Sequence, residues 1–222
     1  MNFDLIYMFK LIPAILGYLP ITLLISGASI IVATLLGLLL ALMLRGGKLL
    51  RGVARLYISF FRGTPVLVQL LIIYFGLPQL FPVLNSVGPV YAVIAGLSFN
   101  TAAYLAEIFR AGIDSVDRGQ IEAALASGLS LPVACWRILF PQICRNAIPA
   151  TGNMYIGLIK NSSLAFTLGV TELLSAGKLE ATASLKFFEA YTAVALVYWG
   201  VTFLLSLLQR QLETHLGKPY QQ

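Results

Sequence analysis

The chain has 222 residues, 59% of them hydrophobic and only 11% charged, with a mean hydropathy of +0.86. Water-soluble domains carry about 25% charged residues, so this composition excludes an ordinary soluble fold and points to a one-domain, all-α integral membrane protein. The net charge of +6 reads as basic loops on the cytoplasmic side rather than as a nucleic-acid surface, and two cysteines with one histidine make neither a disulfide framework nor a metal cluster.

Taken from the N-terminus, "FDLIYMFKLIPAILGY" is apolar but interrupted by Asp4, Lys10 and Pro13. Residues 1–19 are therefore expected to form an interfacial helix rather than a cleavable leader. A crossing needs about 20 apolar residues, and residues 20–44 supply the first. The following loop holds Arg45, Lys48, Arg51 and Arg55 and no acid. A second crossing is expected over 56–80, interrupted by Arg62, Gly63, Thr64 and Pro65. Gly63 and Pro65 bend a helix, and Arg62 and Thr64 can satisfy the carbonyls the bend frees. This break is either a plain kink or a hinge or gate facing a pathway. The third crossing, 88–109, carries Asn100, Tyr104 and Glu107 on one helix face. Facing lipid would be costly, so that face should turn to a pathway or a partner helix.

Residues 113–147 are too long for a plain link. Asp117 can cap a helix start, with Gln120 three residues on. Gly128 fits a left-handed C-terminal cap, Ser130 a second N-cap with Pro132 in the first turn, and Pro141 a further break. The expected pattern is helix, Gly turn, helix, Pro turn. The fourth crossing, 148–174, holds Lys160, Asn161, Ser162 and Ser163. A lysine at the centre of a spanning helix costs about 2.5–3.5 kcal/mol on insertion scales. Lys160 is expected either to pair with Glu107 in a structural role or to line a wet path. The fifth crossing is 188–208, within a membrane domain of 20–212, and 213–222 forms a tail.

Lys and Arg cluster in the first loop, the 113–147 insert and the tail, which places all three in the cytoplasm and the N-terminus outside. Five crossings fit that arrangement; six, with a split first segment, would put both termini in the cytoplasm.

"EAALASGLSLPVACWRILFP" resembles the EAA loop of ATP-binding-cassette importer permeases, which reads E-A-A, three residues, G, nine residues, then I-x-L-P. Glu122, Ala123, Ala124, Gly128, Ile138 and Pro141 stand at that spacing, with Phe140 in place of the usual Leu. "FRGTPVLVQL", "AAYLAEIFRAGIDSVDRGQ" and "IKNSSLAFTLGVTELL" look like the polar amino acid branch of the same family. The resemblance implies a MetI-like type I importer fold of five transmembrane helices with a cytoplasmic coupling helix. It implies a bacterial inner-membrane, multi-pass location. It implies that Glu122, Ala123, Ala124, Gly128, Ile138 and Pro141 seat on a separate ATPase subunit that holds the ATP and Mg, with no cofactor on this chain. A second permease copy or paralogue, an extracytoplasmic binding protein and an amino acid substrate complete the implied assembly. The family has a Lys, an acidic or amide residue and two hydroxyl residues in the turn of Lys160 to Ser163, so Asn100, Tyr104, Glu107 and Lys160 to Ser163 become pathway candidates. No "GxxxxGK[ST]" phosphate loop occurs, so the chain is not expected to be an enzyme. The competing function is an ion-coupled secondary transporter or channel, which leaves the long insert unexplained.

Overall fold

The computed structural model describes residues 3–217; the last five residues of the expected tail lie outside the described residues. Among those described, every regular element is helical. In chain order they are α1 (Leu5–Leu16), α2 (Leu19–Arg45), α3 (Lys48–Gly63), α4 (Val66–Leu71), α5 (Leu77–Leu80), α6 (Pro89–Asp114), α7 (Arg118–Ala126), α8 (Leu131–Ala134), α9 (Phe140–Asn161), α10 (Leu173–Ser184) and α11 (Phe187–Gly217). A π turn (Ile72–Gly76) joins α4 to α5, a second (Cys135–Leu139) joins α8 to α9, and a 3-10 segment (Ser162–Leu168) extends α9.

Helices α2, α6 and α11 are long and apolar enough to cross a membrane. The stretch expected as one crossing over 56–80 is instead a bent pair, Lys48–Gly63 with Val66–Leu80, turned by 108°. The cause is Pro65, which has no N–H to continue the ladder and forces the residue before it into extended backbone. Thr64 takes φ −120°, ψ 147°. The expected crossing over 148–174 is also not one helix. Its α-helical part begins at Phe140 and ends at Asn161, and polar residues such as Asn146, Asn153 and Lys160 interrupt its apolar run.

The central pair is α2 against α6. Ala33, Ala41, Ala102, Ala103 and Ala106 are buried there, and small side chains let membrane helices approach closely. Gly37 is the tightest point: a Cβ there would lie 2.8 Å from Leu105 Cβ. A second cluster packs α1 on α10 and α11 through Met8, Leu11, Ile15, Leu173 and Val194. Charge pins the same helix. Asp4 caps α1 by accepting from Tyr7 N at 2.9 Å, and Lys186 Nζ donates to Asp4 Oδ2 at 2.7 Å. The Lys186 hydrogen bond holds the Asp4 carboxyl below its ordinary range, and Asp4 in turn raises Lys186. The N-terminal segment is thus a helix docked on the α10–α11 turn. A third cluster gathers Ile25, Leu70, Val93, Leu97 and Leu158 beside the bend at Pro65.

Candidate functional site

The bend creates a local problem. The Phe61 carbonyl would ordinarily accept from the amide four residues on, but residue 65 is proline. Two side-chain amides answer it. Gln69 Nε2 donates to Phe61 O at 3.0 Å, and Asn100 Nδ2 donates to the same oxygen at 2.8 Å. Gln69 Nε2 also reaches Thr64 O at 3.1 Å and Thr64 Oγ1 at 2.7 Å, while its Oε1 accepts from Asn100 Nδ2 at 3.0 Å. The Thr64 hydroxyl donates to Phe60 O at 2.9 Å. Arg62 does not join this network; its guanidinium lies over the Tyr104 ring, 5.4 Å from the centroid. The carbonyl-satisfying role expected of Arg62 therefore passes to Gln69 and Asn100, and Gly63 contributes only the helix end.

A cavity of about 310 Å³ opens beside this network, between the bend, α6 and α9. That is the lower end of the range for small-molecule sites, about 300–1,000 Å³. Thr64, Pro65, Asn100, Tyr104, Gly157 and Asn161 line it, and none of its lining side chains is charged. Among the described residues, the Tyr104 hydroxyl and the Asn161 side-chain amide have no hydrogen-bond partner.

Of the pathway candidates, the fold thus gathers Asn100, Tyr104 and Asn161 with Thr64 and Pro65. It does not gather the others. Glu107 sits one turn along α6 and pairs with Arg110 at 2.7 Å. Arg110 also reaches Asp114 at 3.1 Å, and Asp114 pairs with Arg45 at 2.5 Å. The expected alternative of a Glu107–Lys160 pair is therefore not what forms. Lys160 lies in the last turn of α9, exposed, in a separate concavity with Ser163, Tyr191 and Tyr198. Ser162 is buried and donates to Ile159 O at 2.7 Å, and Ser163 donates to Lys160 O at 2.7 Å. Both hydroxyls close the turn where α9 tightens into the 3-10 segment.

Two polar residues escaped the sequence reading. Gln69 is 2% exposed, an amide inside the apolar run "VLVQLLIIYF". Its signal is position: four residues past a helix-breaking proline, a buried amide must find a carbonyl. Glu172 is fully buried and caps α10. Its Oε1 accepts from Ser175 N at 3.0 Å, Ser175 Oγ accepts from Glu172 N at 3.3 Å, and Tyr198 donates to Oε2 at 2.5 Å. The reciprocal cap runs with the acidic residue first, the reverse of the usual Ser/Thr-x-x-Glu order, so the sequence signal for it is weak.

At the opposite end lies the excursion between α6 and α9. Asp117 caps α7 by accepting from Gly119 N at 2.6 Å; Gln120 does not reach back to it. Gly128 closes the turn at φ 81°, a conformation side chains resist. The turn expected at Pro141 is absent. Pro141 falls in the first turn of α9, where its missing N–H is tolerated, and the π turn before it keeps the helix continuous from α8. Glu122, Ala123 and Gly128 are exposed, and Pro141 is too. Ala123, Ala124 and Ile138 line an open groove of about 470 Å³. Trp136 and Phe140 stack at 4.8 Å nearby and stay 69% and 46% exposed. Gln142 Nε2 donates to Gln120 Oε1 at 3.3 Å and Asn146 Nδ2 to Ser115 Oγ at 2.7 Å where the excursion returns to α9.

A membrane bundle with a bent helix at an uncharged polar cavity, and a helical excursion held out at one end, defines a transporter's membrane component. The chain belongs to the family described as "Binding-protein-dependent transport system inner membrane component", whose model matches residues 33–218. It is 52% identical to "Probable amino-acid permease protein YxeN" of Bacillus subtilis (strain 168), over 96% of each chain. It is 39% identical to "L-cystine transport system permease protein TcyL" of the same organism, over 97% of this chain and 92% of that one. A chain from the "Crystal structure of an amino acid ABC transporter with histidines" superposes with a TM-score of 0.87 at 34% identity, over 97% of this chain and all of that one. An inward-facing structure of the MetNI methionine ABC transporter shares the fold at a TM-score of 0.70 and 17% identity, over 96% and 99% of the two chains. The chain is accordingly an ABC permease subunit of MetI-like fold, a non-enzymatic component whose ATPase is a separate subunit. The ion-coupled transporter reading gives way to this.

Proposed function

We propose that the chain forms the translocation pathway of an ATP-driven importer for polar amino acids. The observation that carries this is the uncharged cavity at the bend, with the Tyr104 hydroxyl and the Asn161 amide uncommitted beside Asn100. Such a wall suits a small polar solute whose charges are met by dipoles. The relatives named for amino acids and for L-cystine support the same class.

In this reading, residues 1–19 flank a membrane domain of 20–212 with five crossings, three by α2, α6 and α11, and one each by the bent α3–α5 unit and α9 with its extension. The N-terminus lies outside and the 213–222 tail lies in the cytoplasm of a bacterial inner membrane. Lys48, Arg51 and Arg55 stand at the same end of the bundle as α7, as the preference of basic residues for the cytoplasm requires. Helix α7 docks on the ATPase, which holds the ATP and Mg. Glu122, Ala123, Ala124, Gly128, Ile138 and Pro141 form or shape the docking surface: Ala123 and Gly128 are small and exposed and let a partner approach closely, while Ala124 is buried and supports α7 from beneath. A second permease copy or paralogue covers the exposed Lys160, whose charge is costly against lipid. An extracytoplasmic binding protein delivers the solute, and Thr64 and Pro65, with Arg62 and Gly63 before them, gate the cavity.

Purification of the chain with its native neighbours tests this. An ATPase and a binding protein should copurify, and at least one of L-glutamine, L-cystine and L-arginine should stimulate ATP hydrolysis. A pure complex without an ATPase, or hydrolysis indifferent to every amino acid, would overturn it.

A further inference from the structure

Gln69 does not line the cavity, yet it touches both residues that frame the cavity's edge, Thr64 and Asn100. The orientation of these amides follows from chemistry. The Phe61 carbonyl can only accept, so both amide nitrogens must face it; turning either amide over would set oxygen against oxygen. With Nδ2 facing Phe61 O and Gln69 Oε1, both hydrogens of the Asn100 amide are committed. The Thr64 hydroxyl has one hydrogen, committed to Phe60 O, and it accepts from Gln69. What the Asn100 and Thr64 side chains can still offer the cavity is oxygen lone pairs, while the Val66 N–H at the start of α4 is a separate backbone donor.

We propose that Gln69 is a positioning residue for transport, clasping the α3–α4 bend to Asn100 so that Asn100 meets the solute as an acceptor only. The solute group held at Asn100 is then a donor, and for an amino acid that is the ammonium end. This rests on the transport reading above. The geometry makes Pro65 the origin of the device: the proline frees the Phe61 carbonyl, the carbonyl orients two amides, and the amides leave Asn100 only its oxygen to present. Gln69 and Asn100 therefore act as one unit.

The test is a double-mutant cycle in proteoliposomes holding the chain with its ATPase and binding protein. The readout is the concentration of L-glutamine, L-cystine or L-arginine that half-saturates uptake. Loss of a well-made hydrogen bond to a solute is worth about a factor of ten. Gln69→Met and Asn100→Ala are each expected to raise the half-saturating concentration about tenfold, and together still about tenfold rather than about a hundredfold. Effects that multiply in the double variant would overturn the clasp. Should Gln69→Met not assemble, Thr64→Val with Asn100→Ala runs the same cycle, and Thr64→Ser should restore wild-type behaviour. A wild-type complex that takes up none of the three amino acids contradicts the transport reading instead. The clasp is then judged by the same cycle on thermal unfolding, where additivity overturns it.

Discussion

The bend at Pro65 and the excursion around α7 treat polar groups in opposite ways. At the bend, the amides of Gln69 and Asn100 turn inward, and each hydrogen has a partner within the fold. Around α7, Glu122 is exposed, and Trp136 and Phe140 stay exposed. The first is what a buried device needs, because an unpaired polar group away from water costs about 1–3 kcal/mol. The second is what a docking element needs, because its contacts are completed by another chain. The lesson is a separation: changes at α7 should remove function and spare stability, whereas changes in the buried polar and close-packed positions should remove stability first.

Gly128→Pro tests the exposed end. Proline cannot adopt φ 81°, and it deletes the Gly128 N–H that donates to Leu125 O at 3.0 Å. ATP-driven uptake should fall at least about tenfold, while the thermal unfolding of the membrane bundle stays within about 1 kcal/mol of wild type, the range of changes remote from a core. Tyr198→Phe tests the buried end. It leaves Glu172 Oε2 without its donor, and should destabilise by about 1–3 kcal/mol in denaturant unfolding. Gly177→Ala belongs to the same class: its Cβ would stand 2.0 Å from Val194 Cγ2. A loss of about 1–3 kcal/mol is expected from overpacking, with Val194→Ala restoring part of it. Leu185→Gly should act the other way. Leu185 is 72% exposed and sits at φ 57°, so glycine relieves about 1 kcal/mol of backbone strain with little packing to lose.

The smallest effect belongs to the α1 anchor. Because Lys186 holds the Asp4 carboxyl below its ordinary range, the pair's contribution is present above the ordinary carboxylate range and is lost as pH falls through the lowered value. Amides of α1 should therefore exchange faster below about pH 4, after correction for intrinsic rates, while those of α6 do not. Equal acceleration in both helices would contradict the assignment to Asp4.

Much of the exposed end was legible in the sequence, because its signals are local. Gly128 and Asp117 declare their roles within a few residues of themselves, and the spacing from Glu122 to Pro141 can be counted along the chain. The turn at Pro141 was misplaced because a π turn absorbed the proline, and that accommodation leaves no mark in residue type. The buried end was legible only in part. Asn100, Tyr104 and Asn161 stood out as polar residues in apolar helices, but their partners were a matter of tertiary geometry. Glu107 and Lys160 suggested a pair by opposite charge, yet Arg110, three residues from Glu107 on the same helix, was the nearer partner. Gln69 drew no notice, since its importance comes from the carbonyl that Pro65 frees and from α6 passing beside the bend.

Whether α7 and the cavity are two ends of one ATP-driven device is tested most directly by uptake into proteoliposomes. These would hold the chain, its ATPase and its binding protein, and radiolabelled L-glutamine, L-cystine and L-arginine would be supplied in turn. At least one should accumulate only with ATP, and Gly128→Pro should abolish that accumulation while the complex remains folded. Accumulation that persists without the ATPase, or that follows an imposed ion gradient instead, would contradict the account.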